Sequence, residues 1–252
     1  MTTYGPHAQL YLDNAIRSVK FQTFTDWELI IVSSGDFMPK TEPEPGKILH
    51  FHNHERLHNP AAVAKAYSLS NPKSDIICIA NDDIIMNNTL LNGMNAFLNA
   101  AKTVITVPMS NCDLGLFYHA NLGYFNKEGT SATMFAKPQY RINEITEDLV
   151  DGVINRAVKY QPLFFKSNIV CFWCVFMRRE TYDAIGGIDV NYLTSHDDSD
   201  FCARALKKGY QPGFLTSEFC FHASGVSADL YLSEEHRQTS KELFTKTHLN
   251  GN

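Results

Sequence analysis

Two clusters of acidic residues could do chemistry. Asp82 and Asp83 follow a short apolar run that ends at Ala80, and Asp197, Asp198 and Asp200 open a segment with a helical pattern. Carboxylates bind hard divalent cations and can also take a proton from a reacting hydroxyl group. An aspartate near a helix start can instead be structural, because it caps the helix and complements its dipole. Either cluster alone is ambiguous, whereas the two together are a candidate site.

The elements that must position these acids follow an alternating pattern. Short apolar runs that predict strands lie at residues 28–32, 47–51, 75–80 and 103–107, and helical patterns lie at residues 8–20, 59–70 and 88–101. Such alternation predicts a parallel α/β sheet flanked by helices. Ligands of these sheets collect at the carboxyl ends of the strands. Asp82 and Asp83 lie at such an end.

The pattern changes in the second half of the chain. Residues 110–168 are rich in aromatic residues and loop-like before a helical stretch, and we interpret them as an insertion that lines a site. A strand is predicted at 169–177, followed by a short helix that stops at Gly186 and Gly187. The second acidic cluster begins another helix, and the tail predicts a final one.

Composition narrows the class of protein. The chain has 252 residues, 44% of them apolar, and a net charge of −5, so no global charge attracts polyanions. The longest apolar run, 169–177, is about half of the length needed to cross a bilayer. With no signal-peptide pattern either, we predict a cytoplasmic protein without a transmembrane segment. Cys171 and Cys174 form the one CxxC motif, which without a second pair is a weak zinc or redox signal.

Three stretches carry a resemblance to a known family. They are TTYGPHAQLYLDNAIRSVKFQTFTDWELIIVSSGD (2–36), NDDI (81–84) and CFWCVFMRRETYDAIGGIDVNYLTSHDDSDFCARALKKGY (171–210). The sequence resembles the inverting family 2 glycosyltransferases over about residues 2–107 and 169–225, and NDDI looks like their DxD motif. The resemblance implies a GT-A-type, Rossmann-like, mostly parallel central sheet flanked by helices, with an acceptor-side insertion.

The resemblance also implies an activity. A single domain over residues 1–252 would comprise a nucleotide-sugar-binding half (1–107), an acceptor and catalytic half (108–225) and a C-terminal helix (226–252). The expected reaction is the metal-dependent, inverting transfer of a hexosyl or pentosyl group from a nucleotide sugar, foremost a UDP-sugar, to an acceptor hydroxyl. The implied cofactor is Mn²⁺ or Mg²⁺. The implied acceptor is a saccharide or a lipid-linked one, and the latter would bring peripheral membrane contact.

The resemblance implies roles for several residues on the donor side, each taken from the matching position in the family. Asp83 matches the metal ligand, and His222 matches a histidine near the metal or diphosphate, although a lone histidine after a strand is often structural. Asp82 would contact the ribose or orient the waters of the metal. The remaining residues expected at the nucleotide are Thr3, Tyr4, Ser33 and Arg56.

Roles on the acceptor side come from the second cluster. Asp198 aligns with the general base of the family, and Asp197 is the alternative. Trp173, Asp200 and Arg204 are candidates for binding substrate. Trp173 can equally be a core residue, and Asp200 can contact Arg204 or the backbone within the helix.

The sequence also departs from the family. Ser33 and Ser34 stand where the family has two acids, which leaves the donor base open. The apolar strand expected before the Thr-Tyr turn is missing. His50, His52 and His54 share one face of a predicted strand, but no acid or cysteine with metal spacing accompanies them.

Two other functions remain open. One is a phage-type DNA glycosyltransferase that acts on a hydroxymethylated base. Residues 126–180 hold eight basic and six acidic residues, and a segment with this net positive charge tolerates an anionic partner such as DNA or lipid phosphate. The other is a non-catalytic module that binds nucleotide sugars.

Overall fold

Two neighbouring groups of strands with helices packed on them organise the chain. The structure is a computed structural model that describes residues 1–5, 8–36, 38–42, 44–111, 144–158, 162–193, 195–223 and 233–249. The aromatic part of the predicted insertion, residues 112–143, lies outside these ranges.

The first group is a parallel three-stranded sheet. It contains β1 (Thr2–Tyr4), β2 (Leu29–Ser34) and β3 (Ile48–Asn53) in that order, with α1 (Ala8–Lys20) between β1 and β2 and α2 (Asn59–Leu69) after β3. Tyr4 pairs with Ser34, and Ser34 pairs with Asn53. The three strands therefore end together, and the side chains near their carboxyl ends share one edge of the sheet.

The second group contains six strands and the remaining helices. In chain order the elements are β4 (Ile76–Ala80), β5 (Ile84–Met86), α3 (Leu90–Ala100), β6 (Val104–Met109), α4 (Glu147–Ile154), β7 (Phe164–Lys166), β8 (Cys174–Arg178), α5 (Arg179–Ile185), α6 (Asp197–Lys207), β9 (Gln211–His222) and α7 (Glu234–Phe244), followed by a π-helical turn (Thr245–Leu249). The strand order is β4-β8-β6-β9-β5, and β7 also pairs with β9. The predicted strands and helices are present with boundaries shifted by a few residues.

The direction of β8 positions the site. β6 and β9 are parallel, whereas β8 runs antiparallel to both β4 and β6. Ala80, the last residue of β4, pairs with Cys174, the first residue of β8. The predicted strand at 169–177 thus begins only at Cys174, and the residues just before it lie beside Asn81 and the acids that follow.

Within the described residues, a parallel bridge between Thr2 and Asn81 joins the two groups of strands. Next to this bridge lies a cavity of about 480 Å³ between β2 and β4, with Leu29, Ile30, Ile76 and Met94 in its wall. The Met1 ammonium group donates to Ile30 O at 2.8 Å, and burial lowers its pKa. The Thr-Tyr turn predicted from the sequence is the end of the short strand β1.

Two apolar clusters form the core. The larger one joins α1, α2 and α3 to β2, β4, β6 and β8. The smaller one packs Tyr11 of α1 against β5, β6, α4 and β9, with Ile85, Met109, Val153 and Phe221 among its members. Within the described ranges, the helices lack the length and apolarity needed to cross a bilayer.

Candidate functional site

The pairing of β5 with β9 brings the two predicted metal ligands together. Ile84 pairs with His222, and Ala223 N donates to Asp83 O at 2.9 Å. Asp83 Oδ1 lies 3.2 Å from His222 Nε2. Both residues are buried, with exposed fractions of 6% and 7%. A carboxylate and an imidazole from distant parts of the chain therefore share one buried position.

Two neighbours fix the orientation of His222. The Asn111 side chain donates through Nδ2 to His222 O at 2.9 Å and accepts from His222 N at 2.7 Å. The Trp173 ring stacks on the imidazole, with 5.2 Å between the centroids and 13° between the planes. Sequence analysis missed Asn111, and its only signal is its place just after the apolar strand β6.

Asp82 is turned toward β1. Thr3 Oγ1 donates to Asp82 Oδ2 at 2.6 Å. Burial, and then the negative charge of Asp83, raise the pKa of Asp82 to about 7. Two adjacent buried carboxylates repel each other, so a bound divalent cation would relieve an unfavourable interaction.

Asp83 and His222, with Asp82 beside them, are suited to bind a divalent cation that takes few of its ligands from the protein. The described part of the chain holds no group of three His, Cys, Asp or Glu side chains arranged to bind a metal. Cations of the Mg²⁺ type are often held by only one or two carboxylates together with substrate phosphates. Carboxylate oxygen suits Mn²⁺ and Mg²⁺, and the imidazole adds a nitrogen ligand.

Ser33 is the centre of a hydrogen-bonded chain at the carboxyl edge of β2. Its hydroxyl oxygen lies 2.7 Å from His50 Nε2 and 2.9 Å from His52 Nδ1. His50 Nδ1 lies 2.8 Å from Thr41 Oγ1, and burial lowers the pKa of His50. His50 and His52, which were predicted to share one face of a strand, are thus both hydrogen-bonded to Ser33. A hydrogen bond from Ser33 to a nucleobase would be an additional one.

Tyr4 and Arg56 lie together at the same edge. The Arg56 guanidinium is 4.7 Å from the centroid of the Tyr4 ring. Gly35 has a φ of +81°, and a Cβ at this position would lie 2.9 Å from the Tyr4 ring. A glycine here both allows the turn after β2 and leaves room for the ring.

The second acidic cluster opens α6 after an unusual turn. Ser195 and His196 have φ values of 56° and 62°, a region that non-glycine residues rarely adopt and that is often found at functional sites. Asp198 Oδ1 accepts from Ser199 N at 2.7 Å and from Ser199 Oγ at 3.2 Å. Burial raises the pKa of Asp198, while bonds from Ser199 and the Cys171 thiol lower it. Burial and then the charge of Asp198 raise the pKa of Asp197 to about 7.

Asp200 and Arg204 bind each other inside the fold. Arg204 donates through Nε and Nη2 to Asp200 Oδ2 at 2.9 and 2.6 Å, and His248 Nε2 lies 2.7 Å from Asp200 Oδ1. Arg204 Nη1 donates to the carbonyls of Ile185 and Gly187. The predicted contact between Asp200 and Arg204 is confirmed. These bonds give the pair a structural use, tying α6 to α5 and to the C-terminal turn.

The segment 171–173 connects the two acidic clusters. Asn81 N donates to Trp173 O at 3.0 Å, next to Asp82 and Asp83. The Trp173 ring stacks on His222, whereas Cys171 hydrogen-bonds to Asp198. Both clusters therefore flank the same three residues. Cys171 drew attention in the sequence only as half of a CxxC motif.

The cavity of about 480 Å³ is separate from this site. Its wall includes Met1, Trp27 and Asp75 at the amino ends of their strands and the whole of β4, and none of the candidate residues lines it. The candidate site lies at the carboxyl ends, where parallel sheets bind ligands. The candidate residues therefore point to the carboxyl edge and not to this cavity.

Solved structures, but not sequence comparisons, reveal proteins similar to this one. The sequence matches no protein-family model, and the search for curated relatives returned no match. A mannosyltransferase from Pyrobaculum calidifontis, solved with GDP-Man and Mn²⁺, superposes with a TM-score of 0.57 at 12% identity, covering 89% of this chain and 56% of the other. GalNAc-T7, solved with UDP, GalNAc and Mn²⁺, superposes with a TM-score of 0.55 at 12% identity, covering 82% and 40%.

These similarities define the class of fold. The chain has the mixed α/β, GT-A-type fold of glycosyltransferases, as predicted. It spans only about half of the length of the solved chains that it matches.

Proposed function

We propose that this protein is a metal-dependent, inverting glycosyltransferase that moves a sugar from a nucleotide-sugar donor to an acceptor hydroxyl. The observation that carries the proposal is the meeting of the two acidic clusters on the segment 171–173, at the carboxyl edge of a GT-A-type sheet. Glycosyl transfer needs one group to hold the leaving diphosphate and another to take a proton, and these clusters offer both.

Asp83 and His222 would hold the cation, Mn²⁺ or Mg²⁺. When bound, the ion neutralises the charge that develops on a leaving diphosphate. The burial of both side chains and the bonds from Asn111 to the His222 backbone keep the ligands in place before the substrate arrives. Both structural neighbours were solved with Mn²⁺, which supports a divalent cation as the cofactor.

The nucleotide would lie along the carboxyl ends of β1, β2 and β3. Asp82, oriented by Thr3, would contact the ribose, and Tyr4 with Arg56 would flank the nucleotide. The hydrogen-bonded side chains of Thr41, His50, Ser33 and His52 would set the preference for the nucleobase of the donor. A UDP-sugar is the first donor to test, because one neighbour was solved with UDP; the other was solved with GDP-Man.

Asp198 would act as the general base, with Asp197 as the alternative. A base works best when its pKa is near the working pH, and burial raises the pKa of Asp198 in that direction. In an inverting reaction the acceptor oxygen attacks the anomeric carbon directly as the diphosphate leaves, and the carboxylate receives the hydroxyl proton. Trp173 lies between the two clusters, but it is only 6% exposed and packs in the larger apolar cluster with its ring on His222. We therefore assign it to positioning His222 and not to the substrate contact predicted from the sequence. A saccharide or lipid-linked acceptor is proposed.

A panel of donors tests the function. Binding and hydrolysis are measured for UDP-, GDP-, CDP- and dTDP-sugars with Mn²⁺, with Mg²⁺ and with EDTA. We expect one base to bind in the presence of a cation and to release its sugar slowly to water. Cation-dependent binding without turnover for any acceptor would favour a non-catalytic module. Absence of binding for every donor would overturn the proposal.

A further inference from the structure

Tyr11 is a buried tyrosine whose hydroxyl makes no hydrogen bond within the described structure. The residue is 4% exposed and packs, from α1, into the smaller apolar cluster beside Ile85 and Phe221. Its hydroxyl oxygen is buried and has no hydrogen-bond partner among the described residues. By contrast, the Tyr182 hydroxyl, also buried, accepts from Ile188 N at 3.1 Å.

The helix that carries Tyr11 lies beside the candidate cation site. Helix α1 packs on β5, and β5 begins directly after Asp83. Burial, and then the charges of Asp83, Asp82 and Glu144, raise the pKa of Tyr11 to about 12. The phenol therefore stays protonated at neutral pH and lies within the electrostatic reach of three carboxylates.

A buried hydroxyl without a hydrogen-bond partner destabilises the folded state. Leaving such a group without a partner costs about 1–3 kcal/mol, and a phenylalanine would fill the same apolar space without this cost. A ligand that supplies the missing hydrogen bond would explain the tyrosine. A free anion is a poor candidate, because Asp82, Asp83 and Glu144 would repel it.

We propose that Tyr11 is an outer-shell residue of the cation site, whose hydroxyl hydrogen-bonds to a water molecule on a cation held by Asp83. This inference rests on the proposed function. A cation-bound water uses its lone pair on the metal and presents its hydrogens, so the Tyr11 oxygen accepts from it. Residues of this outer shell typically change metal affinity 10- to 100-fold when replaced.

Tyr11→Phe tests the inference without relying on activity. The Kd for Mn²⁺ is measured by calorimetry, alone and with UDP or GDP, together with the Tm of the metal-free protein. We expect about tenfold weaker Mn²⁺ binding. We also expect a metal-free Tm that is unchanged or higher, because the variant loses only an unpartnered hydroxyl. Tyr210→Phe, in a partly buried tyrosine packed on the larger cluster, is the matched control and should change neither quantity.

The outcomes separate this inference from the proposed function. Wild-type protein that binds no Mn²⁺ under any condition overturns both. Wild-type protein that binds Mn²⁺ as tightly as Tyr11→Phe overturns only the role of Tyr11. A lower metal-free Tm with unchanged Mn²⁺ affinity would show that the hydroxyl serves the fold. Tyr11→Met, which also fills the apolar space, repeats the test should the phenylalanine variant misfold.

Discussion

Asp83 and His222 face each other where β5 pairs with β9, with 3.2 Å between Oδ1 and Nε2. The carboxylate also adjoins Asp82, whose pKa is raised to about 7 by burial and by the charge of Asp83. Without a cation, this arrangement concentrates negative charge in a buried place. With one, the same groups become ligands, which links metal binding to stability.

Asp83→Asn should separate metal binding from stability. The variant removes a buried charge, so we expect a higher Tm in EDTA and at least tenfold weaker Mn²⁺ binding. Thermal unfolding with and without Mn²⁺ and calorimetric titration measure both effects. Asp148→Asn, at an exposed carboxylate in the first turn of α4, is the control. Unchanged Mn²⁺ affinity in Asp83→Asn would remove Asp83 from the metal site.

Asp198→Asn should abolish transfer while leaving donor binding intact. Asparagine keeps the shape and can still accept from Ser199, but it cannot take a proton. We expect kcat to fall by roughly 10²- to 10⁴-fold with an unchanged Kd for the donor nucleotide. Asp197→Asn is the comparison and should keep most of its activity. The reverse result, an active Asp198→Asn and an inactive Asp197→Asn, would move the base to Asp197.

Cys171→Ala should shift the pH dependence of the reaction. The proposed base must be deprotonated, so activity falls as the pH is lowered through the pKa of Asp198. The Cys171 thiol stabilises the charged form of this carboxylate, and its removal should raise that pKa. The acidic limb of kcat/KM against pH should therefore move to higher pH. A limb that stays in place would indicate that Cys171 does not act on the base.

Glu218 should make the fold less stable as the pH rises. The residue is 6% exposed, and Thr89 Oγ1 donates to it at 3.3 Å. Burial raises its pKa from 4.5 to about 7. The folded state therefore holds the proton more tightly than the unfolded state. Stability is lost as the pH rises from about 4.5 to about 7, by at most about 3 kcal/mol.

Glu218→Gln isolates this contribution from the other acids. The glutamine cannot ionise, so the variant should be more stable than the wild type at pH 8 and should lose that advantage at pH 4.5. Urea unfolding of both proteins at these two values gives the difference directly. A stability difference that does not change with pH would contradict the role of Glu218.

Asp200→Asn should disrupt the fold and not a specific substrate contact. Removing one partner of a buried ion pair costs about 3–5 kcal/mol, because the remaining charge is left uncompensated. Asp200 is 1% exposed and bonds to both Arg204 and His248. We expect a large fall in Tm with an unchanged Kd for the donor nucleotide at low temperature. A normal Tm with weakened substrate binding would restore the substrate role predicted from the sequence.

The sequence by itself determined the helices, most strands and the place of each acidic cluster. Apolar periodicity is local, so α1 and the strands that end at Ser34 and Ala80 could be predicted from their own residues. The positions of Asp83 and His222 also followed from motifs that lie at strand ends. Hydrogen bonding between Asp200 and Arg204 was foreseeable because four residues separate them on one helix.

Only the tertiary structure decided which distant groups meet. The antiparallel direction of β8 brings Cys171 and Trp173 between the two clusters, and the register of β5 on β9 sets Asp83 beside His222. Tyr11 and Asn111 carry no motif, and their roles come from the elements that pack against them. Such contacts depend on strand direction, register and helix packing over long separations, and local sequence patterns do not encode these.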